Sequence, residues 1–192
     1  MLKYLVIVGA LVQLIGIFSY IKDTIKGNTK PNKVSWLMWS IAPLIATVAA
    51  FYSGVRWAVL PVFMSGFAPL LVFIFSFLNS KSYWKLERYD YVCGLCSILA
   101  LVLWGVMKEP LIAIVFAIFS DAFAAIPTII KSWSHPETES SIAYSTGVFN
   151  SLTSFAAISF WSLSQYLFPV YLVTVNGLIL VIIYRKEIFK NQ

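Results

Sequence analysis

Hydrophobic residues fill this chain in long runs, and the polar residues between them come in short clusters. Seven runs cover residues 2–21, 34–52, 57–78, 91–107, 111–130, 141–163 and 166–184. Each is near the roughly 20 residues a helix needs to cross about 30 Å of hydrocarbon. The weakest break is around Gln165. There Pro169 is expected in the first turn of the last helix, where a missing N–H does no harm. Pro110 has the same place before the fifth run, and Pro61 lies near the start of the third. The first run follows Lys3 but has no small-x-small cleavage site before the next charges, so it reads as a helix rather than a signal peptide. The pattern predicts an all-α integral membrane protein with seven transmembrane helices.

Composition and charge narrow the class. Of 192 residues, 60% are hydrophobic and 11% charged, against about 25% charged in a soluble domain. Little sequence lies outside the apolar runs, so no soluble catalytic domain fits and no enzyme is expected. The net charge of +6 calls for no nucleic-acid partner, because it is distributed as in membrane proteins. One set of loops carries Lys22, Lys26, Lys30, Lys33, Lys81, Lys85, Arg88, Lys131, Arg185, Lys186 and Lys190, and the other carries Lys3, Arg56 and Lys108. The positive-inside rule then predicts an external N-terminus and a cytoplasmic C-terminus, with the basic loops acting as topology determinants, in a plasma (bacterial inner) membrane.

The chain also matches itself. Displaced by 108 residues without gaps, Pro61 falls on Pro169, Val62 on Val170, Leu44 on Leu152, Leu70 on Leu178, Ile21 on Ile129 and Trp36 on Tyr144. Helices one to three thereby superpose on helices five to seven. The fourth is left as a linker that restores orientation, giving two parallel three-helix repeats. The expected units are 1–78, 79–110 and 111–186, with a tail over 187–192.

Asp121 is the one acid deep in any run, within FAIFSDAFAAIPTII. An acid at mid-bilayer costs about 2.5–3.5 kcal/mol on insertion scales and is read as functional unless shown otherwise. Ala117, Asp121, Ala124 and Thr128 share a helical face, and the repeat places Gly9, Gln13, Gly16 and Tyr20 opposite them. Both stripes run small, polar, small, hydroxyl, the pattern of a close helix contact with a polar group turned inward. Asp121 is either a proton or substrate site or a hydrogen-bonded lock. Gln13 reads first as a packing and hydrogen-bonding residue. Asn150 and Asn176 offer amides that both donate and accept, which suits a neutral polar solute. Thr146 and Thr153 are expected to bond back to their own helix. Pro43, Pro69 and Pro127 lie inside runs and are candidate hinges.

Other features have plainer readings. Trp36 and Trp39, one turn apart in the second run, read first as belt residues and second as a surface for stacking a substrate, and Trp57, Trp84, Trp133 and Trp161 lie near run ends, where aromatic belts form. Cys93 and Cys96, with a single His135 in another loop, make no metal set, so neither a metal nor a cofactor is expected. The acidic stretch 135–139 breaks the basic pattern of its side and reads as a solvated cap, with Ser140 or Ser141 starting the sixth helix.

A 3+1+3 plan with these local residues resembles the SWEET and PQ-loop superfamily of solute carriers. Pro127–Thr128 before IIKSW is similar to that family's dipeptide at the end of the first helix of a repeat. Ser19–Tyr20 stands in its place in the first repeat, followed by Val34–Ser35–Trp36. Pro169 followed by VYLVTVNGLILVIIY resembles the family's seventh helix, which places Asn176 at a substrate-facing position. Its third-helix mate is Ala68, which cannot hydrogen-bond, and Ala49 and Ala157 stand where the family has aromatics, so the resemblance departs from the family's sugar pocket at these positions. PnuC-type vitamin carriers share the same plan. The resemblance implies alternating access for a small polar solute (a sugar, amino acid or vitamin-like molecule), with Asp121 as the proton-coupling candidate, since membrane acids serve that role in cystinosin-type relatives. The expected partners are this solute and the lipid bilayer, and a homo-oligomer stays open. The alternative is a non-transporting receptor or assembly factor on the same fold.

Overall fold

The computed structural model describes residues 4–52, 59–107, 109–158 and 162–188. Lys3, Arg56, Trp57, Lys108, Trp161 and Lys190, named above, lie outside them. The described chain is all helix with no strand: α1 Leu5–Lys26, α2 Lys33–Tyr52, α3 Val59–Phe75, α4 Arg88–Val106, α5 Pro110–Ser134, α6 Ser141–Ser154 and α7 Leu163–Ile188. Four of these, α1, α4, α5 and α7, are long and apolar enough to cross a membrane, while the apolar stretches 33–48 and 62–75 of α2 and α3 are shorter.

The boundaries follow local chemistry. α1 runs five residues beyond its apolar run, to Gly27, whose left-handed backbone (φ 82°) turns the chain. α2 starts on Asn32, whose Oδ1 accepts the N–H groups of Val34 and Ser35 at 3.1 and 3.3 Å. α7 begins at Leu163, so Pro169 is inside the helix and not in its first turn. It leaves the carbonyl four residues earlier without its helical donor. α6 differs most from expectation. Its 14 residues span only about 21 Å before a 3-10 turn over Phe155–Ala157. The hydroxyls of Thr153 and Ser154 both reach the Asn150 carbonyl, at 2.7 and 3.4 Å, and such back-bonds weaken the helical ladder where α6 ends. Ser140 precedes α6 but makes no side-chain capping bond.

Six helices close a ring. α1 packs on α3 and α6, α2 on α3 and α5, and α7 on α5 and α6; α4 packs against α5 and α2. The α1–α6 seam is tight because Gly9 and Gly16 face it. A methyl group added at Gly9 would run into Thr153 and Asn150, and one at Gly16 into Thr146.

Polarity is inverted relative to a water-soluble protein. Leu11, Ile15, Phe18, Leu95, Leu99, Val102 and Val181 are exposed, whereas Gln13, Ser35, Ser40, Ser97, Ser120, Thr128 and Asn150 are buried. Large exposed apolar surfaces of this kind suit contact with lipid or another apolar partner.

Candidate functional site

Gln13 on α1, Asp121 on α5, Asn150 on α6 and Asn176 on α7 line one small chamber of about 80 Å³ inside the ring. Trp36, Trp39 and Pro43 from α2 and Ser65 and Pro69 from α3 complete it. A larger chamber of about 390 Å³ shares Pro43, Ser65, Asp121, Asn150, Ser151, Phe168 and Leu172 with the first. It extends to Ala46, Val62, Ile114 and Ile158, toward the C-terminal end of α2 and the N-terminal ends of α3 and α5. The chambers therefore meet at Asp121 and Asn150. Candidate hinges Pro43 and Pro69 are in the walls, whereas Pro127 is buried in α5 and lines neither chamber.

Asp121 is held by two aromatic donors. The Tyr171 hydroxyl donates to its Oδ2 at 2.7 Å, and the Trp39 indole N–H donates to its backbone carbonyl at 3.2 Å. Tyr171 stands beside Phe168 (ring centroids 5.9 Å apart) and Trp39 beside Trp36 (5.3 Å, edge to face). One carboxylate oxygen is thus engaged, and a carboxylate has acceptor capacity beyond a single bond. Gln13 Oε1 and Asn150 Oδ1 are buried acceptors with no hydrogen-bond donor. A buried acceptor without a donor costs free energy; Asn150 Oδ1 lies against Gly9 in the α1–α6 seam. Asn176 is less free: its Nδ2 donates to the Leu172 carbonyl at 2.8 Å, and its side chain lies against Gly147, which has no room for a methyl group. Thr146 and Thr153 bond back to their own helix, at 2.9 Å to Ile142 and 2.7 Å to Asn150.

The small chamber ends on an aromatic floor. Trp36 and Tyr144 line it, and Tyr20 packs beneath, 4.9 Å from Trp36 between centroids. Both tyrosine hydroxyls donate to Glu139 Oε2, at 2.8 Å from Tyr20 and 3.0 Å from Tyr144. The other oxygen of Glu139 pairs with Lys131 Nζ at 2.5 Å, and both side chains are fully buried. Lys131 also donates to the Lys30 carbonyl, and the Lys30 N–H donates to the Thr138 carbonyl at 3.0 Å. This network ties α1, α5, α6 and the α1–α2 turn together. Beside it, Asn32 donates to Asp90 Oδ1 at 2.8 Å, joining α2 to α4.

Three expectations are corrected here. Glu139 is not part of a solvated cap, and Lys131 is not a free loop cation, because they neutralise each other in the interior. Trp36 is buried at 3% exposure inside an aromatic stack, so it is no belt residue, whereas Trp133 is exposed. Trp84 meets His135 edge to face at 5.5 Å and has a buried indole N–H, so it too sits inward. Tyr171 was not singled out in the sequence, though a signal existed: a tyrosine inside an apolar run seeks an acceptor, and Asp121 is the one acid in any run.

Against this geometry the comparisons add no relative: no family model, curated protein or solved structure matches the chain.

Proposed function

We propose that this chain is a membrane carrier of a small polar solute, working by alternating access between two three-helix bundles of the SWEET and PQ-loop type. The observation that carries the reading is the convergence of Gln13, Asp121, Asn150 and Asn176, from four helices, on one chamber. Polar groups gathered at the centre of an apolar helical ring are what a midplane solute site requires. The packing of the helices supports the repeat. Exchanging α1 with α5, α2 with α6 and α3 with α7 turns the contacts of the ring into one another, with α4 alone lacking a counterpart. Gln13 and Asp121, matched by the displacement of 108 residues, then approach the site from the two bundles.

In this reading the present state is closed at one end by the Tyr20–Trp36–Tyr144 floor and the Lys131–Glu139 pair, and the larger chamber is the vestibule toward the other end. With the N-terminus outside, the closed end is cytoplasmic and the vestibule faces out. Opening the cytoplasmic end requires Glu139, in the α5–α6 turn, to part from Tyr20 on α1 and Lys131 on α5. The proline-bearing segments of α2, α3 and α7 beside the chambers supply bends for that motion, and Asp121 is the group through which protons couple.

The test is solute counterflow in proteoliposomes over a panel of amines, amino acids, sugars and vitamins. A carrier accumulates labelled solute against trapped unlabelled solute, whereas a receptor binds without flux. Absence of counterflow for every solute that shifts the protein's melting temperature would rule the carrier out. Uptake whose pH dependence is unchanged in Asp121→Asn would rule out coupling through that residue.

A further inference from the structure

We infer that the site selects an organic cation: a protonated, N–H-bearing head on a flat apolar or aromatic body. This rests on the chambers being a solute site and adds the charge and shape of what enters. Among the described residues that line the two chambers, Asp121 is the one acid and none is Lys, Arg or His. A lone carboxylate with no basic neighbour presents negative potential to whatever enters, and low-dielectric walls sharpen it. The Tyr171 hydroxyl is a neutral partner and leaves the site's net charge unbalanced.

The amides point the same way. The unpartnered atoms of Gln13 and Asn150 are both acceptors, Oε1 and Oδ1, and both residues are more than nine-tenths buried. A ligand that reaches Gln13 Oε1 must donate to it, while Asn150 Oδ1 lies against Gly9 in the α1–α6 seam. A neutral sugar donates and accepts alike, while a protonated amine, amidine or guanidine only donates. The walls set the rest. Trp39 and Phe168 offer flat aromatic faces, and Met38, Ala42, Val62, Ile114 and Leu172 line the larger chamber. Aromatic faces also attract cations. Its volume of about 390 Å³ accommodates a single-ring molecule.

Benzamidine and benzamide form the decisive pair. They share shape and ring, but one is a permanent cation at neutral pH that only donates through its head, and the other is a neutral amide. Titration of the purified full chain in detergent by calorimetry is expected to show benzamidinium binding and benzamide binding about tenfold or more weakly, as for charge-assisted bonds. Asp121→Asn, close in shape, is expected to level the two. Equal affinities in the native protein, or benzamidinium binding unchanged in Asp121→Asn, would overturn the inference, and so would no benzamidinium binding at all. A variant that fails to fold leaves the native-protein comparison to decide. Counterflow separates the two readings. Benzamidinium bound through Asp121 without counterflow of any cation keeps the cation site and ends the carrier reading. Counterflow of glucose with no competition by benzamidinium keeps the carrier and ends the cation site.

Discussion

Glu139 and Asp121, two of the acids inside the molecule, are held in opposite ways. Glu139 is engaged on both oxygens: a lysine pairs with one at 2.5 Å and two tyrosine hydroxyls donate to the other at 2.8 and 3.0 Å. Asp121 has one tyrosine on one oxygen and a chamber beside it. The first arrangement holds helices together and has little capacity left for a visitor. The second is under-committed, and its neighbours Gln13 and Asn150 are too. Burial alone therefore does not mark a functional acid. What distinguishes the two is how much of the carboxylate's hydrogen-bonding capacity the fold already uses.

The largest effect is expected at the acid engaged on both oxygens. Glu139→Ala strands the buried Lys131 ammonium and two tyrosine hydroxyls, and removing one member of a buried pair costs about 3–5 kcal/mol. Thermal unfolding in detergent should show a drop of that order. The double variant Lys131→Met, Glu139→Leu removes both charges together and should recover the part due to the stranded ammonium, while Tyr20 and Tyr144 still lack their acceptor. A loss below about 1 kcal/mol in Glu139→Ala, the scale of an exposed pair, would mean that the network is not formed.

The next effect tests the seam that brings Gln13 up to α6. Gly16→Leu forces a side chain into Thr146, and overpacking of this kind costs about 1–3 kcal/mol. Gly177→Ala is the control, because nothing lies within 4 Å of its added methyl group. Equal melting temperatures for the two variants would contradict the close α1–α6 approach.

These two sites also mark what was legible in the sequence. The stripe Gly9–Gln13–Gly16–Tyr20 was readable because small residues at helical spacing announce close packing, and the structure turns both glycines toward α6. The all-helical class was readable from the apolar runs, but which four helices are long and apolar enough to cross a membrane was not: the longest run, 141–163, became the shortest of the seven α-helices. The pairing of Lys131 with Glu139 was not. Run analysis treats loop charges as solvated and counts them by side, whereas this pair is fixed by the α5–α6 turn folding inward beneath Tyr20 and Tyr144. Trp36 was misplaced for the same reason: position along a run gives depth in a bilayer but not whether a ring faces lipid or the bundle. The short α6 was hidden because its end depends on hydroxyls competing for the Asn150 carbonyl, not on hydropathy.

A smaller effect is expected at Tyr171→Phe, which removes the hydroxyl from Asp121 and keeps the ring beside Phe168. The loss should be about 0.5–1.5 kcal/mol, the net worth of one hydrogen bond, read by thermal unfolding. If the cation site is correct, benzamidinium affinity should hold or rise, because the freed Oδ2 becomes available to the ligand. A fall in affinity would mean that Tyr171 contacts the solute directly.

The smallest effect on stability and the sharpest on binding is expected at Asp121→Asn. The amide keeps the carboxylate's shape, and its oxygen can still accept from Tyr171, so unfolding should move by less than about 1 kcal/mol, within the range of a single neutral hydrogen bond. The comparison with Glu139 then becomes quantitative. Glu139→Gln retains an oxygen for the tyrosines but leaves Lys131 without a countercharge, so it should cost far more than Asp121→Asn despite the identical chemical change. That ordering follows from how each carboxylate is engaged and not from depth or residue type. If the two amide variants unfold alike, a buried cation does not depend on Glu139, and the division of the two acids into a lock and a site fails. If they differ as expected while cation affinity falls only in Asp121→Asn, the same substitution will have separated what holds this protein together from what it holds.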